Sequence, residues 1–159
     1  MLIFYCCYGR AHSSVVAAAL HLGWLKNTNP SSAEIMALPY FDQATARDFG
    51  RPLSVGHDSA GNEVFILGHG PAHALVERAL RSAWEECGRR EEEFLFVPTE
   101  TCLTFWTRLG GFLSRRLGLS FPGRWLAAYG MRRSLPCLAR CVTAVRSKAG
   151  LDAAWQRIG

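Results

Sequence analysis

A chain of 159 residues with 49% apolar side chains can bury a substantial core without a metal or a disulfide framework, and it is too apolar to be globally disordered. Its longest apolar stretch, VVAAALHLGWL from residue 15, is interrupted by His21 and is too short to span a bilayer. The formal net charge of +5 hides an asymmetry: residues 1–100 carry eight Lys/Arg against twelve Asp/Glu, whereas residues 101–159 carry ten against one.

In chain order, LIFYCC reads as a buried first strand and HSSVVAAALHLGWL as the helix after it, the opening of a βαβ unit. Residues 26–32 form a polar turn with Pro30, SSAEIMAL makes a short helix ended by Pro39, and YFDQATARDFGRP is an irregular, partly helical connection. RPLSVGHDSAGNEVFILG supplies two strands joined by the turn HDSAGN. A helix follows over Ala72 to Cys87, with Leu75, Ala79, Leu80, Ala83 and Trp84 as its inward face, and EFLFVP is the last strand. From Cys102 onward the pattern is helical, partitioned by Gly110, Gly111, Gly118 and Pro122, with Pro136 starting the final helix.

These elements predict an α/β fold: three layers, a mostly parallel sheet with the hairpin strand at an edge, and a helical basic C-terminal segment. A single domain over residues 1–159 is expected, with 1–100 forming the sheet and 101–159 packed on it. No charged leader with a cleavage site opens the chain, so a cytoplasmic location is expected. Adjacent Cys6 and Cys7 sit in a strand and no CxxC pair occurs, which points to reduced thiols.

The richest chemistry lies in CYGRAHSS, residues 7–14, where a strand exit meets a helix N-terminus. Such a junction presents unpaired amides to a phosphate or carboxylate. Gly9, Arg10, Ala11, Ser13 and Ser14 are its candidate ligand-binding residues; the plain alternative is a tight turn and helix cap. It is neither a Walker loop nor a GxGxxG loop. Cys7 is a candidate nucleophile, or else a cysteine that completes the strand. His12 can carry a proton or accept a phosphoryl group, or simply bond within the turn. Asp42 can orient a histidine or act as a base if its connection folds over the loop. His69, at a strand exit, is placed to enter the same cleft.

His57, Asp58, His69 and His73 form no compact three-ligand motif, so neither a metal nor another cofactor is expected. Arg115, Arg116 and Arg124 in GGFLSRRLGLSFPGR are candidate phosphate clamps; on a solvated helical face they would be inert. Trp106, Trp125 and Tyr129 among those arginines make RNA, or an acidic protein, a candidate partner. Nothing in the sequence sets the oligomeric state.

Locally, CYGRAHSS resembles the post-strand loops of low-molecular-weight tyrosine phosphatases and of phosphotransferase-system IIB components, in which backbone amides grasp phosphate. The essential phosphatase arginine would fall on Ser13, and no DP pair supplies that family's general acid. Over nearly the whole chain the sequence resembles an uncharacterised family of Firmicutes proteins, a domain of unknown function. The resemblance is carried by CYGxxHSS, the AAAxHLG helix, Phe41-Asp42, the hairpin from Gly56 to Gly68, and GGxLSRRLGL.

The expected function is binding of a phosphorylated or carboxylated small molecule at the loop after the first strand. Phosphoryl transfer or hydrolysis is the first enzymatic class to test; a basic adaptor or RNA-binding protein without enzymatic activity is the alternative.

Overall fold

The computed structural model describes residues 1–27, 29–107, 109 and 120–150, without the side chains of 120–122. Four strands form one sheet: β1 (Leu2–Cys7), β2 (Leu53–His57), β3 (Glu63–Gly68) and β4 (Phe94–Pro98), in the order β2-β3-β1-β4. β1 pairs in parallel with β3 and β4, and β2 runs antiparallel to β3 at the edge. The α-helices with both ends among the described residues are α1 (Ser13–His21), α2 (Ser32–Met36), α3 (His73–Glu86) and α4 (Ser120–Lys148). The protein is therefore α/β, as the alternation of apolar runs predicts. Among the described residues no helix is long and apolar enough to cross a membrane.

Strand periodicity sorts the side chains of β1 onto two faces. Ile3 and Tyr5 join Val64, Ile66 and Val97 in a core covered by α1, α2 and α4. Phe4 and Cys6 join Leu67, Phe94 and Phe96 on the other face, beneath Val76, Leu80 and Trp84 of α3. Each fully buried aliphatic side chain here stabilises the fold by about 1.5–3 kcal/mol. Cys7, one residue beyond Cys6, consequently turns toward α1.

Three expectations need correction. The sheet-facing strip of α3 runs through His73, Val76, Leu80 and Trp84, while Leu75 is 62% exposed and Ala79 and Ala83 face solvent. The expected face combined two neighbouring strips, and only the one bearing Val76 and Trp84 meets the phenylalanines of β1 and β4. Pro136 lies inside α4 rather than starting a helix. A continuous apolar stripe of Ala127, Ala128, Met131, Leu135, Leu138, Val142 and Val145 is buried on both sides of it, and this packing outweighs the one backbone bond that proline removes. Finally, the thiols are not all reduced: Cys102 is bonded to Cys137 across a Cα–Cα distance of 5.5 Å, tying the turn after β4 to α4. Their separation of 35 residues gave no sequence signal of this proximity. The predicted segment from Gly110 to Leu119 lies outside the described residues.

Topology also fixes where a ligand can sit. The chain leaves β1 into α1 on one face and leaves β3 into α3 on the other, so the exits of these neighbouring strands diverge. A crevice at the carboxyl ends of the strands follows from that divergence.

Candidate functional site: the cleft at the strand exits

Three strand exits are stitched together at this edge. The His69 amide donates to Cys7 O at 3.1 Å, the Gly70 amide to Tyr8 O at 2.9 Å, and the Thr99 amide to Cys6 O at 2.8 Å. The loop after β1 then lies so close to the end of β3 that a methyl group on Gly68 would sit 2.9 Å from Arg10 N and 3.0 Å from Gly9 C. Arg10 takes a left-handed conformation (φ 54°) to make the turn.

The connection after α2 folds back over this loop. The Asp42 amide donates to Ala11 O at 2.9 Å, and Asp42 Oδ1 lies 3.0 Å from His12 Nε2. Asp42 reaches that position with φ 58°, a region that aspartate tolerates better than most residues. His12 occupies the N-cap of α1, yet its side chain makes no bond to the helix. The first-turn amides of α1, beyond reach of any intrahelical carbonyl, thus receive no cap from it.

The result is a cleft of about 1060 Å³ whose lining includes Cys7, Gly9, Ala11, His12, Ser13, Asp42 and His69. Cys7 is 4% exposed, with Sγ 3.1 Å from Ser14 Oγ. Ser13 and Ser14 are fully buried; Ser13 Oγ lies 2.9 Å from Thr99 Oγ1, which donates to Cys6 O. The serine hydroxyls are thus engaged by the protein, and Ser14 sits behind Cys7 rather than on the cleft wall.

The arginines are arranged differently from the expected clamp. Arg10 pairs with Asp48 at 2.7 Å and donates to Arg51 O, so it braces the 45–51 segment instead of lining the cleft. The Thr45 amide and hydroxyl, with Arg10 beside them, hold Asp48 below the ordinary carboxylate range against the opposing effect of burial. Arg124 donates to Met36 O, the carbonyl of the last residue of α2, and Arg146 likewise to His21 O at the end of α1. Both serve the orphaned C-terminal carbonyls of helices. Arg115 and Arg116 lie outside the described residues.

Sequence reasoning missed Glu100, which follows β4 and places Oε2 2.6 Å from His69 Nε2. The rule that ligands gather at strand carboxyl ends would have found it in VPTE. Tyr8, Thr45, Phe49 and Thr107 also line the cleft.

The chain belongs to the DUF3189 family. The family model, described as a protein of unknown function, matches residues 2–147 and so takes in every residue of the cleft. No curated protein and no solved structure matches the chain. For this DUF3189 chain the chemistry must be read from the cleft.

A second polar cluster is structural. Tyr5 Oη lies 2.7 Å from His21 Nδ1, His21 Nε2 lies 3.0 Å from Asp58 Oδ2, and Asp58 accepts from the Asn62 side chain and from the Ala60 and Asn62 amides. The N-terminal ammonium donates to Asn62 Oδ1, which puts this network at the opposite end of β1 from the cleft. Burial lowers the His21 pKa against the opposing pull of Asp58. Burial works to raise the Asp58 pKa, but donation from Asn62, His21 and the hairpin amides brings it below its ordinary value. Burial pushes the Tyr5 phenol up.

Proposed function

We propose that the cleft binds a phosphorylated or carboxylated small molecule at the loop after β1, with phosphoryl transfer or hydrolysis as its chemistry. The observation that carries this reading is the first turn of α1, uncapped by His12, beside a cavity that also holds Cys7 and the His12–Asp42 pair. Amides in that position suit an anion by both hydrogen bonding and the helix dipole.

In a phosphoryl-transfer step, Cys7 gives its thiol proton to solvent and the thiolate Sγ forms a bond to phosphorus as the bond to the leaving oxygen breaks. His12, held at Nε2 by Asp42, gives that oxygen its proton. Water then gives a proton back to His12 and bonds to phosphorus as the S–P bond breaks, which frees the Cys7 thiolate and inorganic phosphate. The Ser14 hydroxyl can donate to the sulfur from behind. His12 is the alternative nucleophile, through Nδ1, and Asp42 then balances its charge.

Melting curves with inorganic phosphate, phosphomonoesters and small dicarboxylates test binding; an anion at about 100 times its Kd adds about 2.7 kcal/mol of stability. Cys7→Ser should keep that shift while abolishing any phosphatase turnover, and Asp42→Asn should lower turnover and flatten its pH profile. Absence of a shift from both anion classes would overturn the reading.

One observation favours a second reading. Trp125 stacks on Tyr129 at 5.7 Å, Arg133 lies over Tyr129 at 5.2 Å, and Phe105 and Trp106 are exposed nearby. Aromatic rings interleaved with guanidinium groups suit single-stranded RNA. RNA affinity that falls steeply with salt and is lost in Trp125→Ala would favour it.

A further inference from the structure

We infer that the mouth of the cleft is a binding site for one zinc-like divalent ion, held by His69, His73 and Glu100. These three side chains each bring a ligand atom within 4.8 Å of the other two. They come from the exit of β3, the first residue of α3 and the turn after β4, so the sheet itself sets their spacing. The site stands independently of the anion reading, because none of the three ligands belongs to the loop after β1.

His69 Nδ1 lies 2.7 Å from Gly70 O, a carbonyl that can only accept, so Nδ1 carries the hydrogen. His69 Nε2 is then 2.6 Å from a carboxylate oxygen of Glu100, a second acceptor. Two acceptors on opposite sides of one imidazole call for a positive centre shared by Nε2 and Oε2: a proton at the present 2.6 Å, or a metal ion once the two atoms draw apart. An Nδ1–H donated to a backbone carbonyl is also the support that fixes the ring of a metal-bound histidine.

His73 distinguishes the two occupants. Its Nε2 is buried and has no hydrogen-bond partner among the described residues. Its ring stands edge to face against His69, with centroids 4.7 Å apart, and packs against Phe96. A proton shared by His69 and Glu100 leaves this second imidazole unexplained, whereas a metal uses it. Two imidazoles and a carboxylate are a common zinc ligand set, and three protein ligands leave a fourth position for water or substrate. With bonds of about 2.0–2.1 Å, tetrahedral ligand atoms sit about 3.3 Å apart, so Glu100 Oε2 draws back from its 2.6 Å contact with His69 Nε2 while His73 turns toward them from within 4.8 Å. His69 and Glu100 both line the cleft, which directs the open position into it.

The test uses the full chain, freed of metal and in phosphate-free buffer, titrated with zinc against a chromophoric chelator and separately with cobalt(II) as a spectroscopic probe. One ion per chain is expected, with visible cobalt bands from nitrogen and oxygen ligands. His69→Ala, His73→Ala and Glu100→Gln should each weaken zinc by at least about 100-fold, since losing even an outer-shell partner costs 10–100-fold. Cys87→Ser, at an exposed free thiol, should bind as the wild type does. Near-ultraviolet circular dichroism of each metal-free variant reports folding; should a histidine variant fail to fold, the wild-type cobalt spectrum decides. Absence of saturable binding, retention of affinity in folded His73→Ala, or a sulfur-to-cobalt charge-transfer band would each overturn the site. No phosphate is present, so failure here leaves the anion reading untouched.

Discussion

Gly68→Ala tests whether the loop after β1 is seated against the sheet as the cleft geometry requires. Gly68 is buried and carries no left-handed strain, so the effect of a methyl group there reduces to contacts and to the entropy of the unfolded chain. Its Cβ would meet Arg10 N at 2.9 Å, Gly9 C at 3.0 Å and Arg10 Cβ at 3.1 Å. Two of these are main-chain atoms, which cannot swing aside like a side-chain tip. Overpacking of this kind costs about 1–3 kcal/mol. Restricting the unfolded chain returns about 0.4–1 kcal/mol. A net loss of about 0–2.6 kcal/mol remains, or up to about 10 °C in melting temperature at this chain length. The displaced atoms belong to the proposed anion loop, so phosphate affinity should fall together with stability. Differential scanning calorimetry and phosphate titration on the same preparation read both quantities. A melting temperature that rises, with unchanged phosphate affinity, would show that entropy wins and that the loop does not rest on β3.

Acidification should destabilise the protein in two steps. His21 is held below its ordinary 6.5 and Asp58 below 3.8, so the folded chain binds fewer protons than the unfolded chain beneath each value. Their contributions are complete above pH 6.5 and pH 3.8 respectively and are lost as pH falls through the corresponding folded pKa values; denaturant melts across that range should lose the upper step in His21→Gln. Arg124→Met should cost about 1.5–3 kcal/mol by uncapping Met36 O, measured by urea unfolding, and should leave phosphate affinity unchanged. Removing the Cys102–Cys137 bond by Cys102→Ala/Cys137→Ala should cost about 3–4 kcal/mol for a closure spanning 35 residues, measured by the same unfolding.

The parts of this fold legible in the sequence are those in which one short window carries the whole signal. The apolar runs of β1, β3 and β4 announce buried strands, Asp58 and Gly61-Asn62 announce the hairpin, and SSAEIMAL before Pro39 announces α2. What escaped depends on two distant windows meeting. Asp42 was expected to orient a histidine only if its connection folds over the loop; it meets His12 in that way, with Tyr40 and Asp42 both at positive φ, which no local pattern requires of non-glycine residues. Glu100 reads as one more turn acid until β4 is laid beside β1, when it arrives next to His69. The phase of α3 was misread because both strips of the helix contain apolar residues, and only the sheet beneath it chooses between them. Arg124 looked like a clamp because it falls in the basic C-terminal segment, whereas its spatial neighbour is the end of α2.

Charge placement links the two proposals. No lysine or arginine lines the cleft among the described residues, whereas two carboxylates, Asp42 and Glu100, do. On its own the cleft therefore offers a dianion amides and imidazoles, with Glu100 opposing it at the mouth. A divalent ion held by Glu100 and the two histidines would reverse the sign of the field there. Phosphate should then bind more tightly to the zinc-loaded protein than to the metal-free one, and by linkage zinc should bind more tightly in the presence of phosphate by the same factor. Coupling energies of this kind are typically about 1–3 kcal/mol, or about 5–150-fold. Chelator-competed titrations run in both orders measure the two factors separately. Equal affinities with and without zinc would mean that the ion and the anion occupy sites that do not share a field, so the strand-exit edge would hold two separate functions instead of one.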